Sequence, residues 1–222
     1  MNTFTRANET LRSSLEAYAH VLRTIVASMP QIRHLCDRVL KETRLIQALL
    51  AFETRSVAGE LGQLAFNLSN LWPYREQPYD RTLGFNDEIA EAVRLHSDAQ
   101  RGLQLVTRMG KDALAGELQT CFTNIMSYLS EEQKLLEECN NQVRPHANNM
   151  DITRKQLNLL IAAIDARMPA STEQATTLRA YQEAANLLHD WESGVPLNER
   201  GIEILERCLD TLDKAESVSF TK

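Results

Sequence analysis

The sequence predicts an all-α protein, and three observations carry that prediction. Apolar residues recur at steps of three and four along nearly the whole chain, the spacing of one helical face. The 222 residues hold only eight Gly and six Pro, too few for the frequent turns of an all-β chain. The apolar runs are also long. One extends from Ile32 to Leu71, roughly forty residues or ~60 Å of helix, against a usual helix of about 11–12 residues.

The first element spans about 3–29, where Leu11, Leu15, Tyr18, Leu22 and Ile25 share a face. Met29-Pro30 is expected to break or kink it, because proline lacks the N–H donor and its ring crowds the preceding turn. The second is the long run Ile32, Leu35, Val39, Ile46, Leu50, Val57, Leu61, Leu64, Leu68 and Leu71, ending at Trp72-Pro73. Pro73, Pro78 and Gly84 mark a loop. Asn86 before Asp87-Glu88 reads as an N-cap followed by first-turn acids that suit the helix dipole.

Ile89, Val93, Leu103 and Val106 continue the pattern to Gly110, expected to kink the helix or divide it. Leu114, Leu118, Phe122, Ile125, Leu129, Leu136 and Val143 follow. Ser130 to Gln133 has the form of a capping box, but apolar spacing runs through it, so a bend or no break is expected. Pro145 precedes a stretch with Ile152, Leu157, Leu160, Ile161 and Ile164, closed by Met168-Pro169. Ser171 to Gln174 is a second capping box, opening a helix with Leu178, Tyr181, Ala185, Leu188 and Trp191. After Gly194 and Pro196, a last helix carries Ile202, Leu205, Cys208, Leu209 and Leu212. Residues 217–222 are expected to fray. With no repeat, low-complexity tract or composition shift, residues 1–222 read as a single helical domain of five to seven helices.

Composition excludes several functions. No apolar run reaches the ~18–20 residues that span a bilayer, and Met1 to Arg6 lacks the apolar core of a secretory signal. The expected location is cytoplasmic, with peripheral membrane attachment open. Cys36, Cys121, Cys139 and Cys208 are far apart and lie in helical patterns, as reduced thiols packed like small apolar groups would. A net charge of -6 argues against nucleic-acid binding.

No chemistry declares itself. His20, His34, His96, His146 and His189 include none with Glu three residues before it, the pattern of a carboxylate-bridged di-metal bundle. Glu16 and His20 are one turn apart, and His189 and Glu192 three residues apart, as chance supplies. No nucleophile elbow occurs. The acid pairs Glu131-Glu132 and Glu137-Glu138 read as a solvated helical face. No catalytic residue, metal or cofactor is expected.

One charge pattern stands out. Arg94, Arg101 and Arg108 are spaced by seven, one stripe of a helix, and Lys111 stays in phase with them. Asp98 is the sole acid between 94 and 111, so the segment is net +3 in an acidic chain. A second basic run, Arg33, Arg38, Lys41 and Arg44, offsets Asp37 and Glu42. Arg154-Lys155 is a third. A plain solvated face explains such stripes. The functional alternative is contact with anionic lipid, on the order of 1 kcal/mol per cation near the surface.

A family resemblance bears on the choice. Leu15-Glu16-Ala17-Tyr18, Gly59-Glu60-Leu61-Gly62-Gln63-Leu64, Tyr128 to Lys134, Ala184 to Glu192 and Leu205 to Leu209, with long helices and a proline break after about seventy residues, resemble BAR domains of the sorting-nexin type. The net charge of -6 and Pro145, Pro169 and Pro196 depart from that pattern. The resemblance implies long kinked antiparallel helices in an elongated coiled-coil bundle that dimerises and binds or shapes membranes in vesicle or endosomal traffic. Arg94, Arg101, Arg108, Lys111, Arg154 and Lys155 would then face the anionic membrane. The alternative is a compact helical bundle, an adaptor, chaperone or secretion-related protein that binds another helical protein in an apolar groove.

Overall fold

The computed structural model describes residues 3–70, 85–166, 172–193 and 199–219. The described residues form seven α-helices: α1 (Thr3–Leu50), α2 (Val57–Ser69), α3 (Asn86–Thr107), α4 (Ala113–Val143), α5 (Ala147–Asp165), α6 (Thr172–Glu192) and α7 (Glu199–Ser219). The expected all-α class holds. By their contacts the described residues divide into two compact units, one of 3–27 and those from 141 to 219, the other of 28–70 and 85–140.

In the first unit the N-terminal part of α1 packs with α5, α6 and α7. Leu11, Leu15, Tyr18, Leu22 and Ile25 of α1 are buried, as are Met150 and Leu157, Ala184 and Leu188, and Leu205, Cys208 and Leu212 from the other three helices. Ion pairs Arg12–Asp213 (3.3 Å) and Arg23–Glu206 set α7 antiparallel to α1. Gly201 lets the two approach: a Cβ there would stand 2.8 Å from a Leu22 methyl.

Tyr18 is the polar knot of this unit. Its ring meets His146 and Trp191 edge-on, at centroid distances of 5.9 and 6.4 Å. Its hydroxyl lies 2.9 Å from Thr153 Oγ1, which itself donates to the Asn149 carbonyl at 2.8 Å. A hydroxyl has one proton, so Tyr18 is the donor to Thr153. Burial raises the Tyr18 pKa.

The second unit pairs the rest of α1 with α2, α3 and α4. Gln31–Glu131, Arg38–Tyr128 and Glu42–Asn124 contacts (3.2, 2.8 and 3.1 Å) run in opposite directions along α1 and α4, so the two are antiparallel. The Arg38 guanidinium also lies 4.1 Å from the Tyr128 ring centroid. Between α3 and α4, the bare Gly102 backbone faces the buried Phe122 ring. Asn140 joins their far ends, accepting from Phe85 N at 3.1 Å and donating to Asn86 Oδ1 at 3.0 Å.

Several boundaries correct the sequence reading. α1 runs unbroken through Pro30; packing of the apolar stripe on both sides of the proline outweighs one lost donor. The break falls instead at 51–56, inside the run expected to be one long helix. Leu50 and Val57 are seven apart, so the apolar phase survives a turn whose two arms line the same core. Asn86 is the first residue of α3 and the cap position is Phe85, without a side-chain cap bond. Gly110 divides α3 from α4, at a left-handed φ of +101° that favours glycine. Helix α4 passes through Ser130 to Gln133 uninterrupted, as expected, and α7 continues to Ser219 where fraying was expected. Trp72-Pro73, the loop to Gly84, Met168-Pro169, Ser171, Gly194 and Pro196 lie outside the described residues.

Candidate functional site

The built feature of the second unit is one end of its bundle, where the α1–α2 turn (51–56) meets the α3–α4 turn (108–112). Arg55 clasps the two. Its guanidinium donates to the Met109 carbonyl (3.0 Å) and to Asp112 Oδ2 (2.7 Å), and it also bonds Glu53. Hydrogen bonds from the Arg55 side chain and backbone hold the Glu53 carboxyl down at about 2. Asp112 has a second duty: its Oδ1 accepts from Ala115 N at 2.7 Å, capping the first turn of α4. That bond, then Arg55, lowers its pKa.

The clasp occupies both acids of the two turns, leaving Arg108 and Lys111 over. Both are exposed. Among the described residues neither has a carboxylate within ion-pair distance. Phe52, in the first turn, is 95% exposed.

The other candidate cations are placed differently. Arg94 is held between Glu91 (2.6 Å) and Asp98 (3.1 Å) on its own helix, and Arg101 reaches Glu60 of α2 at 3.5 Å. Lys111 does not continue the helical stripe, because the helix ends at Thr107 and Gly110 redirects the backbone. In the first unit, Arg154 pairs with Asp151 (2.8 Å) and Glu192 (3.1 Å), and Lys155 with Asp151. Hydrogen bonds from Lys155 and Arg154 lower the Asp151 pKa. Of the six candidates, only Arg108 and Lys111 thus combine exposure with freedom from a described carboxylate.

Elsewhere the chemistry is that of packed interiors. All four cysteines are free and buried. Burial pushes the Cys121 and Cys208 thiols up to about 12 and raises Cys139. The Glu131-Glu132 pair corrects the solvated reading: Glu131 is exposed, while Glu132 is fully buried with the Cys36 thiol 3.6 Å from its Oε1. Neighbouring residues sit about 100° apart on a helix, so one of a pair can face inward. Among the described residues no three His, Cys, Asp or Glu side chains gather as a metal site, and no helix is long and apolar enough to cross a membrane. Two depressions on the first unit, one beside Ser13, Ser14 and His146 and one between Arg179, Glu183 and Arg207, are shallow and open to solvent.

Compared with protein-family models, curated proteins and solved structures, the chain gives no match.

Sequence reading missed Phe52, because apolar spacing alone does not say which residues a turn will expel. It missed the pairing of Arg94 too, although Glu91 and Asp98 stand three and four residues away, within helical ion-pair reach.

Proposed function

We propose that this protein is a non-enzymatic helical scaffold that dimerises and binds or shapes anionic membranes in vesicle or endosomal traffic. The observation that supports the reading best is the pair Arg108 and Lys111, exposed cations that no described carboxylate neutralises, beside the exposed Phe52. An anionic bilayer supplies the missing counter-charge, on the order of 1 kcal/mol per cation near its surface. Terms that small hold a protein only when several act together, so a homodimer presenting two such ends binds far better than one chain. The BAR-like elongated dimer belongs to this reading. The scaffold uses no cofactor and no catalytic group.

Co-sedimentation with phosphatidylserine-containing vesicles tests it. Binding should fall with salt, and R108E/K111E should weaken it by well over tenfold. Equal binding by that double variant would remove the end of the second unit from the mechanism. Small-angle scattering tests the assembly: a compact 222-residue monomer has a radius of gyration near 17 Å, and an elongated dimer a much larger one.

A second reading rests on α5 and concerns a protein partner. Ile152 and Leu159 are 54% and 71% exposed. With Ala163 they fall within about 40° of one face at 100° per residue. A partner helix could lie along that stripe. Loss of a captured partner on I152E/L159E, with vesicle binding unchanged, would favour it.

A further inference from the structure

We infer that the outer face of the last turns of α1, Lys41, Arg44, Leu45, Ala48 and the following Phe52, inserts into the interfacial layer of an anionic bilayer; this rests on the membrane reading above and specifies how the contact is made.

At 100° per residue, Lys41, Arg44, Leu45 and Ala48 share a sector of about 100°, and all four are exposed. Leu45 is 46% exposed and Phe52 95%. The opposite face, Val39, Thr43 and Ile46, is buried against the rest of the second unit. This end of α1 is therefore buried on one side and on the other presents a mixed face, two cations beside Leu45 and Ala48 with Phe52 just beyond. Among the described residues neither Lys41 nor Arg44 has a carboxylate within ion-pair distance. The nearest acid in the sector, Asp37, lies one turn back, and Glu42 faces away to receive a hydrogen bond from Asn124 at 3.1 Å. Through the Arg55 clasp, Phe52 stands at the same end as Arg108 and Lys111.

The occupant follows from charge and shape. Cations next to exposed leucine and phenylalanine suit a surface that is anionic outside and apolar beneath. Their aliphatic stems lie along the apolar layer while the charged heads stay at lipid phosphates. Phe52 projects from a turn, so a rigid protein partner would need a matching socket, whereas a bilayer closes around any projection. Aromatic side chains also favour the interfacial depth, though Trp and Tyr more strongly than Phe.

The test uses the full chain and vesicles of phosphatidylserine with phosphatidylcholine. Leu45 is 46% exposed and Phe52 95%, so L45S/F52S should keep the parent's far-UV circular dichroism and melt only slightly lower, staying folded under the binding conditions. Its vesicle affinity should fall about tenfold or more, at low and at high salt, with the salt dependence retained. R108E/K111E should instead weaken the salt-dependent part, with Lys41 and Arg44 supplying what remains of it. If L45S/F52S binds like the parent while R108E/K111E does not, insertion is overturned and electrostatic attachment stands. If the parent chain fails to bind, both fall. If L45S/F52S converts a dimer to a monomer and leaves vesicle binding intact, the stripe faces a second copy of this chain and the inference is overturned.

Discussion

Replacing Gly102 with alanine should destabilise the protein, although alanine is the better helix former. Gly102 lies inside α3 and is buried. In an open helical position the substitution would gain about 1 kcal/mol. Here a Cβ would stand 2.6 Å from Cζ and 2.7 Å from Cδ1 of Phe122. Real Cβ atoms do not approach ring carbons that closely, so the ring or the α3–α4 spacing must shift. Phe122 is fully buried, and overpacking such a core costs about 1–3 kcal/mol. Several ring atoms clash at once, placing G102A toward the top of that range. The net loss is then about 1–2 kcal/mol, or roughly 2–8 °C in melting temperature for a chain of this size. Thermal and urea unfolding followed by circular dichroism would measure it. F122L removes the obstructing ring, so G102A made on that background should be neutral or stabilising, a coupling that a double-mutant cycle isolates. A melting temperature for G102A at or above that of the parent would refute the close packing of α3 on α4.

Two further predictions concern titration and reactivity. Glu53, held at about 2 against its ordinary value of 4.5, should keep the clasp intact through mild acid. A depressed carboxyl pKa gives stability that is fully present above 4.5 and lost as pH falls toward 2. Carbon-13 NMR should therefore find Glu53 titrating far below the ordinary glutamate value of 4.5, and R55Q should return it toward that value; a parent Glu53 already titrating near 4.5 would dissolve the clasp. The four buried cysteines should resist Ellman's reagent at pH 8 in the native protein, since access is blocked and burial opposes the thiolate. All should react in denaturant; rapid labelling of Cys121 or Cys208 in the native state would contradict their burial.

The helices were legible because their apolar stripes are continuous, and that same continuity hid the break between α1 and α2. Periodicity reports phase and not continuity. The seven-residue step from Leu50 to Val57 carries the stripe across a turn and conceals it. Gly110 showed itself, since a left-handed residue is one of the few local signals of a turn. The site was legible in part. Arg108 was named by spacing, but its freedom depends on Arg55 drawing Glu53 and Asp112 together from positions 53 to 112, a pairing that no local pattern encodes. The Arg101–Glu60 and Arg154–Glu192 pairs are equally non-local. Glu132 shows the opposite failure. Its neighbour Glu131 made it look solvated, while the face of α4 turned it toward Cys36.

The most direct test of membrane attachment through the end of the second unit is the depth of spin labels on phosphatidylserine-containing vesicles. Labels would be placed at Thr54→Cys, in the α1–α2 turn, and at Asp87→Cys, exposed in the first turn of α3 at the other end of the same unit, in a protein whose own thiols are buried. The account predicts that the label at 54 becomes accessible to oxygen and shielded from a water-soluble relaxation agent, while the label at 87 stays in water. A label at 54 that remains fully exposed to the aqueous agent on bound vesicles would contradict it.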